Sequence, residues 1–326
     1  MFLSDKVVGR LRADWLDPDL SGTHYRLLQR VARGGMGVVY AAEDVRLGRR
    51  VALKVLDVPD ATGELEERLV REARVLAQLE HPGIVPVHDV GKLSDGRVFY
   101  AMKFVEGRQL DAHIAGVESL PERLRLFLRI CDAVAFAHSQ GILHRDLKPA
   151  NIMIGPFGEV LVMDWGLAKV LYESAAAKES PPTPEMAAVA QDDSTQAGPT
   201  AHGTVLGTPG YMSPEQARGD VDRVDARSDV YSLGAILEFL AANTRGPRAL
   251  AAIIAKAASA DPAGRYASVQ ELAADVSSYL DGLPVRAYRE NLLERAERLF
   301  TRYRVAILLI AAYLFMRLVL LLVLHR

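Results

Sequence analysis

Within His144-Arg145-Asp146-Leu147-Lys148-Pro149-Ala150-Asn151, an acid, a lysine and an asparagine stand at offsets of two and three residues. A second acid follows Asn151 by thirteen residues, in Asp164-Trp165-Gly166. These four side chains are the set that phosphoryl transfer needs. One carboxylate orients an attacking hydroxyl, a cation faces the moving phosphoryl group, and an amide and a second carboxylate supply oxygens to a divalent cation. A solvated charge run on a surface loop is the plain alternative, and it leaves the fixed order of the groups unexplained.

Such groups work only if other elements bring a nucleotide to them. Tyr25 to Lys54 reads as strand, glycine turn, strand, strand, with β-branched residues at Val31, Val38, Val39, Val51 and Val55. The turn is Ala32-Arg33-Gly34-Gly35-Met36-Gly37-Val38-Val39. Its glycines let backbone N–H groups approach phosphates with no Cβ in the way. Alone, this turn is equally an ordinary hairpin. Glu64 to Leu79 then reads as a helix whose apolar stripe is Leu65, Leu69, Leu76 and Leu79. Glu72 lies in the middle of that stripe, whereas Glu66 and Glu67 lie off it. A carboxylate on a buried face is costly unless paired, so Glu72 requires a cation.

Taken in order, these motifs resemble the catalytic core of bacterial eukaryotic-like (Hanks-type) serine/threonine protein kinases. The resemblance implies an α+β, bilobal protein-kinase fold with a small β-rich N-lobe and a larger helical C-lobe. It implies ATP and Mg²⁺ as cofactors and transfer of the ATP γ-phosphoryl group to Ser/Thr hydroxyls of proteins, the chain itself included. Against the G-x-G-x-x-G-x-V pattern, Ala32 replaces the first glycine, while Gly34, Gly37 and Val39 match and Gly35 lies between. Val51-Ala52-Leu53-Lys54 matches the strand that bears the phosphate-binding lysine, with Glu72 as its partner. Lys103-Phe104-Val105-Glu106-Gly107 aligns with the hinge. Met102 would then sit behind the adenine, with the backbone of Phe104 and Val105 at its edge. Lys103 stands where the family usually carries an acid, which matters little because the adenine contacts are made by backbone.

By the same resemblance Asp146 is the catalytic acid–base residue, Lys148 neutralises γ-phosphate charge, and Asn151 and Asp164 hold Mg²⁺. Trp165 replaces the usual Phe of the Asp-Phe-Gly motif, a change in packing and not in chemistry. The activation segment runs over 52 residues, 164–215, and ends in Gly207-Thr208-Pro209-Gly210-Tyr211-Met212-Ser213-Pro214-Glu215. Thr208 should bridge Asp146 and Lys148, Glu215 should pair with Arg265, and Asp229 should brace the catalytic loop. Arg145, beside the catalytic acid, calls for an anion, which makes Thr204 the first candidate phosphosite and Thr200 the second. Only 35 residues separate Asp229 from Arg265, fewer than in related kinases, so the substrate-docking surface is reduced.

The 326 residues are 50% hydrophobic and 25% charged, which suits a globular chain with ample core. A net charge of −2 gives no push toward nucleic acid, and none is expected as a partner. The single cysteine, Cys131, lies in an apolar helical run and reads as a buried small hydrophobe. The expected organisation is a leader at 1–24, a kinase domain at 25–283 with a polar insert at about 171–203, and a basic juxtamembrane segment at 284–304. Residues 305–324 follow as a transmembrane helix. Fourteen of those twenty residues are Leu, Ile, Val or Phe, and Arg317 lies close enough to one end to snorkel. A single-pass C-terminal anchor with the kinase domain in the cytoplasm follows. An apolar helix packed on protein is the alternative for this run.

Protein substrates, the membrane and self-association for autophosphorylation in trans are the expected partners. Two other functions compete. One is a catalytically weak or inactive nucleotide-binding scaffold, disfavoured because Lys54, Glu72, Asp146, Asn151 and Asp164 are all present. The other is a small-molecule kinase, disfavoured by the segment ending at Glu215.

Overall fold

The computed structural model describes residues 17–33, 37–56, 63–165, 169–170, 210–220, 223–242, 248–291, 295, 308–317 and 320. Five strands, β1 (Tyr25–Arg33), β2 (Gly37–Asp44), β3 (Arg49–Leu56), β4 (Val87–Lys92) and β5 (Val98–Lys103), form an antiparallel sheet in the order β1-β2-β3-β5-β4. Between β3 and β4 runs helix α1 (Glu64–Gln78). Alternation splits the sheet into two faces. Tyr40, Val51, Leu53, Phe99 and Ala101 close a small outer core, joined by Leu20 from the segment before β1. Ala52, Tyr100 and Met102 join α1 in the main core.

Register then decides what meets what. Lys54 pairs with Val39 on one side and with Tyr100 on the other, and Ala52 pairs with Met102. Directly paired residues share a face, so Val39, Lys54 and Tyr100 point together toward α1 and the interior. Gly37 opens β2 opposite Leu56, and a Cβ there would run into the carbonyl oxygen of Val55. The close passage of β3 therefore demands glycine at 37 independently of any phosphate.

The helical half begins with β6 (Arg108–Gln109), α2 (Leu110–Ile114) and α3 (Leu120–Ser139), followed by β7 (Ile142–Leu143), β8 (Ile152–Ile154), β9 (Val160–Val162) and β10 (Lys169–Val170). β6, β8 and β9 form a three-stranded sheet in that order, and β7 pairs with β10. α4 (Pro214–Ala217), α5 (Ala226–Ala241), α6 (Arg248–Ala257) and α7 (Val269–Leu280) complete it. α3 crosses the core with Leu124, Phe127, Ile130, Cys131 and Val134 buried. Val230, Leu233, Leu237 and Leu240 of α5 bury a stripe with the 3-4-3 spacing of one helix face. Gly234 lets α6 approach: a Cβ there would lie 2.9 Å from the Ala257 Cβ and from the Ala258 nitrogen.

After α7 the chain folds back. The buried Asp275 carboxylate accepts hydrogen bonds from Tyr266 Oη (2.8 Å) and from the backbone nitrogens of Arg286 (2.8 Å) and Ala287 (3.0 Å). Val285 is buried, and Ala287 and Tyr288 pack on the core. These residues, grouped by sequence with the basic segment, are thus held against α7. Residues 308–317 are helical and exposed. Among the described residues, no helix is long and apolar enough to cross a membrane.

Candidate active site

The site lies in a cleft of about 750 Å³ between the sheet and the helical half. From above, Ala32, Gly37, Val39, Ala52 and Lys54 line it; Met102 near the end of β5 and Phe104 and Val105 in the segment after it line the back. From below come Asp146, Asn151 and Asp164. Met153, Met163 and Leu76 also line it and carried no signal in the sequence beyond being apolar.

Lys54 Nζ lies 2.7 and 2.8 Å from the two Glu72 oxygens and 3.5 Å from Asp164 Oδ1. Burial alone would lower the Lys54 pKa; the Glu72 and Asp164 carboxylates outweigh it and hold the ammonium above its usual value. Tyr100 donates to Glu72 Oε1 at 2.8 Å. Burial, with Glu72 beside it, pushes the Tyr100 phenol well up, so it remains a donor. Sequence reasoning missed Tyr100. Its two-residue spacing from Met102 put it on the same strand face, but a lone tyrosine in an apolar strand reads as core.

The catalytic-loop residues also converge. Lys148 Nζ contacts Asp146 Oδ2 at 2.7 Å. Asn151 Nδ2 donates to the Asp146 carbonyl (2.8 Å) and to Asp146 Oδ2 (3.1 Å). Since the amide nitrogen faces Asp146, the amide oxygen of Asn151 is left as an acceptor. Asp164 is half exposed to the cleft, with 51% of its side chain accessible. Asn151 and Asp164 thus offer hard oxygens of the type Mg²⁺ takes together with phosphate and water.

Two residues here have left-handed backbones, Arg145 (φ 69°) and Asp164 (φ 60°). For non-glycine residues this conformation costs about 1–3 kcal/mol and needs outside support. Asp229 supplies it at Arg145: its fully buried carboxylate accepts from the nitrogens of His144 and Arg145, both at 2.9 Å, and contacts His138 Nε2 at 2.8 Å. Burial opposes this charge, but the His138 hydrogen bond and the neighbouring donors hold the Asp229 pKa below the usual carboxylate value. His144 Nδ1 accepts from the Asp146 nitrogen at 3.2 Å. Its Nε2 then carries the proton that bonds the Met163 carbonyl at 3.0 Å, which sets the tautomer. Trp165 is buried, donates to the Val162 carbonyl at 3.3 Å and tilts against His144, as expected of an aromatic that packs. His138 carries no spacing signal in the sequence, and His144 stands at the head of the catalytic motif without a role that spacing assigns.

Glu215 and Arg265 pair as expected, at 2.6 and 2.8 Å. Burial would raise the Glu215 pKa, but bonds from Arg265 and Ser228 lower it to about 2. Burial lowers the Arg145 pKa against the pull of Asp229, and its Nε is buried with no hydrogen-bond partner. Gly34, Gly35, Thr200, Thr204 and Thr208 lie outside the described residues.

The protein kinase domain family matches residues 25–247. The chain is 35% identical over 304 residues to the serine/threonine-protein kinase PknD of Chlamydia abortus, covering 80% of this chain and 31% of that protein. It is 34% identical over 307 residues to PknD of Protochlamydia amoebophila, covering 79% and 30%. The chain therefore spans about a third of the length of these curated relatives. The crystal structure of the Mycobacterium tuberculosis PknI kinase domain superposes with a TM-score of 0.56 at 26% identity, covering 78% of this chain and 96% of that one. A family match over more than half the sequence and a cleft built as described lead to one conclusion: the chain belongs to the protein kinase domain family.

Proposed function

We propose that the chain is a serine/threonine protein kinase that moves the ATP γ-phosphoryl group to protein hydroxyls, its own included. The observation that carries this reading is the convergence of Asp146, Lys148 and Asn151 beneath the Lys54–Glu72 pair, with Asp164 within 3.5 Å of Lys54. Ala52 would cover the adenine from the sheet with Met102 behind it, and the Phe104–Val105 backbone would meet its edge. Lys54, held by Glu72 and Tyr100, orients the α- and β-phosphates. Asp146 positions the acceptor hydroxyl and takes its proton as the oxygen bonds to the γ-phosphorus and the bond to ADP breaks. Lys148 offsets charge on the moving group. Asp164 and Asn151 would hold Mg²⁺, which would supply positive charge against the phosphates. The names of the curated relatives support Ser/Thr specificity.

The test is transfer from labelled ATP, with magnesium, to a generic basic protein. Asp146→Asn should lower the rate by about 10²–10⁴-fold while leaving ATP affinity within about twofold. Near-native autophosphorylation by this variant would sink the assignment.

We further propose that the kinase domain, residues 25–283, is cytoplasmic and tethered through the basic 284–304 segment by a single-pass anchor at 305–324. The fourteen Leu, Ile, Val and Phe residues of that run support it. Deleting residues 305–326 should turn a carbonate-resistant membrane protein into a soluble, active one; release of the full chain by carbonate argues for a packed helix. Self-association would serve autophosphorylation in trans, at Thr204 first and Thr200 second. The unpartnered Nε of Arg145 supports a phosphate acceptor there. Full activity of the Thr204→Ala/Thr200→Ala double variant would exclude these sites.

A further inference from the structure

Gln216 sits in the first turn of α4 and closes a capping box with Ser213. Its Oε1 accepts from Ser213 Oγ at 2.8 Å and from the Ser213 nitrogen at 3.3 Å. A capping box needs only that oxygen. The amide nitrogen is spare, and it donates to the Arg145 carbonyl at 2.8 Å, 71 residues earlier in the chain. The Arg145 carbonyl and the Asp146 N–H belong to one peptide unit. Asp146 N–H is already bonded to His144 Nδ1, and the preceding Arg145 N–H to Asp229. Gln216 is therefore the outer clamp on the peptide plane that aims the Asp146 side chain, at a residue pair where the backbone enters a left-handed conformation. Gln216 is buried, which limits the competition of water for this bond.

We propose that Gln216 is a positioning residue for Asp146, tying the end of the activation segment to the catalytic loop. This inference rests on the kinase reading. It makes the order of α4 a condition for the aim of the catalytic carboxylate, with no contact between Gln216 and substrate. A residue that merely capped α4 would tolerate Gln216→Glu, because a carboxylate at this position accepts from Ser213 at least as well as an amide and favours a helix N-terminus. A positioning residue would not, because ionised Glu cannot donate to the Arg145 carbonyl.

The experiment compares purified full-length wild type, Gln216→Glu, Gln216→Met and Ser213→Ala. Gln216→Glu and Gln216→Met should lose about 10- to 100-fold in kcat at pH 8 with KM for ATP within about twofold, as a small misplacement of the base does. Ser213→Ala removes the cap hydroxyl and its bond to Gln216 Oε1 but leaves the Ser213 nitrogen on that oxygen and the amide nitrogen on the Arg145 carbonyl, so it should stay within about threefold of wild type. As pH falls toward 6, the ratio of Gln216→Glu to wild-type kcat should rise, because a protonated carboxyl donates again; the Gln216→Met ratio should stay flat. Amide hydrogen exchange in residues 143–147 should quicken in Gln216→Glu and Gln216→Met and not in Ser213→Ala, whether or not any variant turns over. A Gln216→Glu enzyme with wild-type kcat, or a Ser213→Ala enzyme damaged equally, overturns the proposal, as does unchanged exchange at 143–147. Wild type inactive on every protein acceptor, with exchange responding as stated, would instead overturn the kinase reading and leave the clamp standing.

Discussion

Lys54–Glu72 and Arg265–Glu215 are both cation–carboxylate pairs with the acid side chain only 1% exposed, but they finish their hydrogen bonding differently. All five N–H groups of Arg265 are spoken for: Glu215 takes two, and the carbonyls of Ser259, Arg227 and Ala260 take the rest. Ser228 adds a 2.7 Å bond to Glu215. Lys54 reaches Glu72 with two short contacts, and its third direction opens on the cleft, where Asp164 stands at the limit of bonding distance. A saturated pair can only hold structure. An ammonium whose third partner is a half-exposed carboxylate at 3.5 Å can still turn to a phosphate. The lesson is that burial and short distances do not separate a structural ion pair from a working one; how firmly the last donor is held does.

The largest effect that would test this contrast is on catalysis. Lys54→Met should abolish phosphoryl transfer, by about 10³-fold or more in kcat/KM; it also strands the buried Glu72, but Tyr100 still donates to that carboxylate, so the melting temperature should fall by less than in an Arg265 variant. Thermal melts that dropped as far as those of an Arg265 variant would erase the distinction. Arg265→Met comes next: stranding Glu215 and three carbonyls should cost about 3–5 kcal/mol. In a domain of this size that is a fall of roughly 6–20 °C in Tm, followed by calorimetry. Retention of the wild-type Tm would show that the closed pair contributes little. Smallest is Tyr100→Phe, which removes one bond to Glu72. It should cost about 1 kcal/mol and loosen Lys54 enough to raise KM for ATP several-fold. An unchanged KM would mean that Glu72 needs no second support.

What could be read ahead of the structure follows the same divide. Glu72 was legible because a charged residue interrupts a stripe of four leucines, and helical periodicity makes such an interruption visible. Asp146, Lys148, Asn151 and Asp164 were legible as a spaced set, and Glu215, Asp229 and Arg265 through the resemblance. Tyr100, His138, His144 and Gln216 were not. Each works through at least one contact made across a sheet or between distant segments, and local spacing does not reveal those partners. Gly37 was legible for a different reason from the one the packing shows, since the Val55 carbonyl already excludes a side chain there.

The fold-back after α7 sets how a tug on the C-terminal side would enter the domain. Backbone nitrogens at 286 and 287 are bonded to Asp275, which sits midway along α7 and not at its end. Tension arriving from residue 290 onward would therefore meet both hydrogen bonds to Asp275 and the buried Val285 before it reached the end of the last helix.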